Sequence, residues 1–243
     1  MKKRDIVYIL KNDIGADCQE LRYSLRSVAE NFPVRYVWFV GGCPDGLKPD
    51  KKIEHEQRGG NKWERARSSL TEACKNKDIT DEFYLFNDDF FVLRQPVGDF
   101  VNMTDGTIGR RVSEIIRNNK GGTSSYTRGL EDLQYRLKRK GKDVISFAVH
   151  VPMLINKRDM LELLTGRDAH YSFRTLYGNM YEIPYIYHKD CKIYDMVGVP
   201  GDDWDYLSTT ERSFEFGKVG AWIRDRFPNP CKYETEADNE TNN

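Results

Sequence analysis

The feature that most constrains this chain is an alternation in its first half. Short β-branched and aromatic runs are separated by longer stretches carrying a helical stripe. Residues 5–10 (DIVYIL) are bounded by Asn12, Asp13 and Gly15 and read as a buried strand. From Asp17 the period changes: Leu21, Leu25 and Val28 fall on one helical stripe, which Pro33 ends. Residues 35–40 (RYVWFV) form a second buried run that closes at Gly41-Gly42, and Trp63, Ala66, Leu70 and Ala73 repeat the helical stripe. Residues 82–86 (EFYLF) are a third run leading into Asn87-Asp88-Asp89, and residues 90–93 continue as a short apolar piece. This order predicts an α/β fold, a mostly parallel sheet with flanking helices. Such sheets bind ligands at the carboxyl ends of their strands, which singles out the loops at 11–15, 41–46 and 87–89.

Further along, stripes predict helices at 107–118 and 129–140, with a flexible loop at 120–125 between them. Residues 144–149 read as a strand leading to His150-Val151-Pro152, residues 156–165 as a helix, and residues 211–226 as a last helix. The expectation is one catalytic domain over 1–234 and a disordered polar tail over 235–243. A chain of 243 residues buries a core without disulfide or metal staples. Its 38 basic and 38 acidic side chains cancel, which argues against nucleic-acid binding by bulk charge. Five widely spaced cysteines without a CxxC pair argue against a zinc site and for a reducing compartment, the cytoplasm. No apolar run approaches the roughly 18–20 residues of a membrane span.

Four places carry candidate chemistry. Asp88 and Asp89 follow a buried strand, where paired carboxylates need a compensating cation or hydrogen bonds. A divalent metal on phosphate oxygens would supply that, and a solvated Asn-Asp turn is the plain alternative. His150, beside a proline-fixed loop, suits an acid, base or phosphate ligand, or else a structural histidine. Arg22, Arg65, Arg67 and Arg174 lie among apolar or aromatic neighbours and are the candidates to contact a diphosphate. Tyr181, Tyr185, Tyr187 and Tyr194 would stack on a sugar or base, or belong to a half-buried strand. P-loop, Rossmann, zincin and hydrolase motifs are missing from the sequence.

Several segments together resemble the Stealth family of sugar-phosphate transferases, of the capsular-polysaccharide and GlcNAc-1-phosphotransferase type. Asp5-Ile6-Val7-Tyr8 with Asn12-Asp13 is similar to the family's first block. Residues 20–27 and the Asn87-Asp88-Asp89 turn are similar to the two ends of its second block. Residues 147–156, with a His-x-Pro signature, are similar to the third, and residues 227–234 to the fourth. The blocks keep the family's order across nearly the whole chain. Three departures stand out: Met153 takes the place of a second histidine, residues 207–211 (LSTTE) replace an Asn-Asp pair, and the first two blocks nearly fuse.

The resemblance implies a fold like that of nucleotide-sugar glycosyltransferases of the GT-A type, in a compact bacterial or phage member. It implies transfer of a sugar-1-phosphate from a nucleotide-sugar donor to an acceptor hydroxyl, releasing a nucleoside monophosphate. Asp89, His150 and Arg174 are then the expected catalytic residues. Asp88 and Asp89 would hold Mg²⁺ or Mn²⁺, and Asn12, Asp13, Arg22 and Gly42 would line the donor pocket. The expected partners are the donor and a glycan or other hydroxyl acceptor, with nucleic acid only as an acceptor. Two alternatives remain: transfer of the sugar itself to a glycan or modified base, and a sugar- or nucleotide-binding module without turnover.

Overall fold

A computed structural model describes residues 2–15, 18–118, 121–167, 169–170 and 172–235. The chain begins β1 (Arg4–Leu10), α1 (Gln19–Asn31), β2 (Val34–Gly41), β3 (Lys51–Ile53), α2 (Lys62–Lys75), β4 (Glu82–Phe86), β5 (Phe90–Val92). It continues β6 (Asn102–Thr104), β7 (Gly106–Thr107), α3 (Ile108–Asn118), α4 (Ser125–Arg139), β8 (Ile145–Ser146), β9 (Met153–Asn156), α5 (Lys157–Thr165). It ends α6 (Phe173–Met180), β10 (Tyr185–Tyr187), β11 (Lys192–Ile193), β12 (Tyr206–Thr209), α7 (Glu211–Phe216), α8 (Lys218–Arg226).

The central sheet has the order β3-β2-β1-β4-β9. β1 pairs parallel with β2 and with β4, and β2 pairs parallel with β3; only β9 runs antiparallel, against β4. Side chains alternate across the sheet, as a period of two requires. Ile6, Tyr8, Leu10 and Phe86 face the layer of Leu21, Leu25 and Val28 on α1, while Val7, Val40 and Leu85 face Leu70 and Ala73 on α2. The mixed α/β architecture with a mostly parallel sheet is therefore as the sequence predicts. Because Tyr8 pairs with Phe86 and Leu10 with Gly41, the β1, β2 and β4 strands end side by side. Their loops meet at one edge.

A small second sheet, β11-β12-β5, fixes the chain immediately beyond β4. β5 pairs antiparallel with β12, and α1 serves its free backbone groups with side chains. Ser24 Oγ donates to the Phe90 carbonyl, Ser27 Oγ accepts from the Val92 amide at 3.0 Å, and Asn31 Nδ2 donates to the Val92 carbonyl at 2.9 Å. These buried polar residues of α1 hold the acidic turn between β4 and β5 from below.

Four expectations change. The strand expected at 144–149 is only Ile145–Ser146, and His150 lies in irregular chain beyond it. β8 pairs antiparallel with the equally short β7, and side chains of α6 also bond the chain there: Asn179 bonds both the amide and the carbonyl of Ile145, at 2.9 and 2.8 Å, and Thr175 Oγ1 accepts from the Phe147 amide. The sheet strand comes after Pro152 instead, as β9, and Asn156 caps α5 rather than joining it. The last helix is broken at Gly217 into α7 and α8. The corner is tight enough that a Cβ at Gly220 would overlap the Phe214 carbonyl. The loop expected at 120–125 loses Ser125 to α4, and its residue 120 lies outside the described residues, as do residues 236–243 of the expected tail. Among the described residues no helix is long and apolar enough to cross a membrane.

The segment leading to Thr235 is stapled back onto the first α/β unit. The Glu234 side chain is 6% exposed and accepts from Arg22 Nη1 at 2.8 Å and from Arg26 Nε and Nη2 at 2.8 Å, while the Thr235 amide donates to the Gly46 carbonyl. Removing one partner of a buried ion pair leaves uncompensated charge. Glu234→Ala is therefore expected to lower unfolding stability by about 2–4 kcal/mol in urea denaturation; an unchanged midpoint would mean the staple contributes nothing.

Candidate active site

The buried run of β4 delivers Asn87, Asp88 and Asp89 to the sheet edge. Asp89 is buried, and its Oδ2 accepts from Lys192 Nζ at 2.7 Å and from Ser208 Oγ at 2.9 Å. The strand register explains this convergence. Ser208 pairs with Lys192 across β11/β12 and with Phe90 across β12/β5, so both donors stand beside the turn. Burial pushes the Asp88 pKa up, and the neighbouring Asp89 charge adds to it. Asp88 lines a cleft of about 490 Å³ with Lys11, Asp13 and Glu20. Glu20, in the first turn of α1, accepts from Thr209 Oγ1 at 2.6 Å. Burial, only partly opposed by that hydrogen bond, raises its pKa to about 7, with Asp89 and Asp88 adding to the rise.

On the other side of the turn lies a second cavity, of about 580 Å³, lined by Trp63, Asn87, Tyr126, His150, Phe173 and Arg174 among others. His150 Nδ1 lies 2.9 Å from Asp190 Oδ1, and the His150 amide donates to the same oxygen at 3.2 Å. Arg111 Nη1 donates to Asp190 Oδ2 at 2.9 Å and to Asp105 Oδ2 at 3.0 Å. Burial opposes the Asp190 charge, but the His150 and Arg111 contacts outweigh it and hold its pKa well below the usual carboxylate range. Arg174 is set by the first turn of α6. Its Nη2 donates to the Val151 carbonyl at 2.6 Å, its guanidinium lies 5.8 Å from the Phe90 ring centroid, and its buried Nε has no hydrogen-bond partner among the described residues. Burial lowers its pKa to about 10 against the pull of Tyr126, Asp190 and Asp89.

One extended segment serves both halves of this site. Asp190 and Lys192, two residues apart, project toward His150 and toward Asp89. The intervening Cys191 is buried and donates its Sγ–H to the His150 carbonyl.

Of the residues singled out from the sequence, Asp88, Asp89, His150 and Arg174 come together around the acidic turn. Asp13 reaches the rim of the smaller cleft. Asn12 instead binds its own chain, donating to the His55 carbonyl at 3.0 Å. Gly42 packs so closely on the Lys11 carbonyl that a Cβ would overlap it, so its closeness serves the turn. Arg22 is engaged by Glu234. Tyr194 lies edge-on to His150, its centroid 6.3 Å away, whereas Tyr185 and Tyr187 form the exposed β10. Sequence reasoning missed Glu20, Arg111, Asp190 and Lys192 as site residues. The available signal was the charged stretch at 189–192 breaking a tyrosine-rich run.

The donor set does not fit the expected Mg²⁺ or Mn²⁺. Asp89 Oδ2 already holds an ammonium and a hydroxyl, and residues 208 and 209 bring hydroxyls, not carboxylates. Among the described residues no group of three or more His, Cys, Asp or Glu side chains is arranged to hold a metal ion.

No protein-family model matches the chain. No curated protein sequence matches it either. Among solved structures it is similar to the galactosyltransferase LgtC, solved in complex with donor and acceptor sugar analogues. That match has 11% identity over 92% of this chain and 94% of that chain, with a TM-score of 0.48. It is also similar to the glycosyltransferase GlyE of Streptococcus pneumoniae TIGR4, at 9% identity over 78% of this chain and 46% of that chain, with a TM-score of 0.36.

A carboxylate whose pKa rises on folding stabilises the fold while protonated and loses that contribution as pH rises through the folded value. For Glu20 the window runs from its ordinary 4.5 to about 7. Glu20→Gln is expected to stabilise the protein by about 1–3 kcal/mol at pH ~8 and to give no gain at pH ~4. Thermal unfolding at the two pH values checks this; a gain independent of pH would refute it.

Proposed function

We propose that the chain is a transferase moving a hexose-1-phosphate from a nucleotide-sugar donor to an acceptor hydroxyl. The observation that carries this reading is the meeting of three groups on one cavity: the His150 imidazole held by Asp190, the Arg174 guanidinium with an unspent N–H, and the turn ending β4. The second and third family-like blocks bring Asn87 and His150 to this cavity, which supports the reading.

With its Nδ1 proton directed at Asp190, His150 carries a lone pair on Nε2. Nε2 takes the proton of the acceptor hydroxyl. The acceptor oxygen then bonds to the phosphorus that bears the sugar, and the P–O bond to the nucleoside monophosphate breaks, its electron pair leaving with that group. The product is a phosphodiester. Asp190 stays ionised; it orients the ring and stabilises the imidazolium that forms. Arg174 offers a planar donor fork to the phosphoryl oxygens as charge shifts among them. Trp63, Tyr126 and Phe173 give flat apolar walls to a sugar or base. No step needs the expected divalent ion, because Lys192 already balances Asp89.

The same base and walls would serve a hydroxyl attacking the sugar carbon, the ordinary glycosyltransferase reaction. The nucleotide released separates the two.

Incubation with a panel of UDP-, GDP- and ADP-sugars and simple glycan acceptors is expected to release a nucleoside monophosphate. Release of a nucleoside diphosphate would move the reading to sugar transfer, and equal inactivity of wild type and His150→Ala across the panel would leave a binding module. His150→Ala is expected to lower kcat by about 10²-fold or more, with donor KM within a few-fold. Asp190→Asn should lower kcat at nearly constant KM, with partial rescue by Asp190→Glu, as a positioning role requires.

A further inference from the structure

The acidic turn carries its own cation. Lys192 Nζ lies 2.7 Å from Asp89 Oδ2, and Ser208 Oγ occupies the same oxygen at 2.9 Å. The lysine is not a chance surface neighbour. Its side chain is 15% exposed, its strand is in register with Ser208, and the residue two before it is fixed by His150 and Arg111. An extended chain pinned at Asp190 delivers the ammonium to the turn with little freedom to swing away.

Glu20, on α1 beside the turn, is also engaged, accepting from Thr209, and Lys11 and Lys192 add attraction on Asp88. A hard divalent ion takes about six oxygen ligands, several of them carboxylate or water. Here it would arrive against an ammonium already in contact with Asp89, and would find serine and threonine hydroxyls on the β12 side. Like charges at such separations repel strongly where water is excluded.

We infer that Lys192 is the resident cation of this site and stands in place of a divalent metal. Asp89 then acts as the anchor that holds the ammonium beside the donor's diphosphate, and transfer proceeds in the presence of a chelator. This inference rests on the nucleotide-sugar reading for the identity of the diphosphate, but the cation assignment is testable without turnover.

The test is Mn²⁺ binding, followed by electron paramagnetic resonance, with and without UDP. Wild type, Asp89→Asn, Lys192→Gln, Lys192→Arg and the double variant Lys192→Gln/Asp89→Asn are compared, with circular dichroism confirming that each is folded. Wild type and Lys192→Arg are expected to bind Mn²⁺ weakly. Removing the ammonium should tighten Mn²⁺ binding by roughly tenfold or more, and removing Asp89 as well should abolish the gain. Tight Mn²⁺ binding by wild type that Asp89→Asn removes would overturn the inference, as would a Lys192→Gln protein that gains no affinity. If the Lys192 variants do not fold, the wild-type titration and its Asp89→Asn partner decide alone: weak binding by both supports the assignment. None of these readouts depends on donor turnover, so failure here is distinct from failure of the transferase reading.

Discussion

A carboxylate buried at the end of a core strand is the constraint around which this site is organised. Leaving Asp89 ionised in that position requires compensation within contact distance. The chain provides it from segments more than a hundred residues away, Lys192 and Ser208. Their placement depends on the small sheet β11-β12-β5, and that sheet depends on α1, whose buried Ser24, Ser27 and Asn31 hold β5. Packing of the first α/β unit and electrostatics of the turn are thus one problem.

The same economy applies to the proton-handling half. Asp190 is kept ionised by two cationic or proton-donating neighbours and hands its charge to His150 as an orienting contact. Because Asp190 and Lys192 alternate on an extended segment, displacing that segment would disturb the imidazole and the acidic turn together. Arg174 comes from a different element, α6, which also holds the backbone around β8.

Much of the framework was legible in the sequence because it rests on local periodicity. The runs at 5–10, 35–40 and 82–86 became β1, β2 and β4, and their order placed the acidic turn at the ligand-binding edge. Asp89 and His150 stood out because polar groups beside apolar runs need an explanation. Other features depend on partners distant in sequence. β9 was hidden because its apolar residues come after Pro152 and run straight into a helix stripe. The shortness of β8 reflects bonds from Asn179 and Thr175, which no periodicity records. Asp190 and Lys192 sit in a stretch without a period, and their roles appear only when the fold brings them to His150 and Asp89.

The proposed chemistry turns on His150 being oriented through Nδ1 by Asp190, with Nε2 left to handle the acceptor proton. ¹⁵N NMR of imidazole-labelled protein reads that tautomer directly. At a pH where the ring is neutral, the expected result is a protonated Nδ1 and an unprotonated Nε2, a preference lost in Asp190→Asn. A neutral ring protonated at Nε2, or a tautomer unaffected by Asp190→Asn, would contradict it.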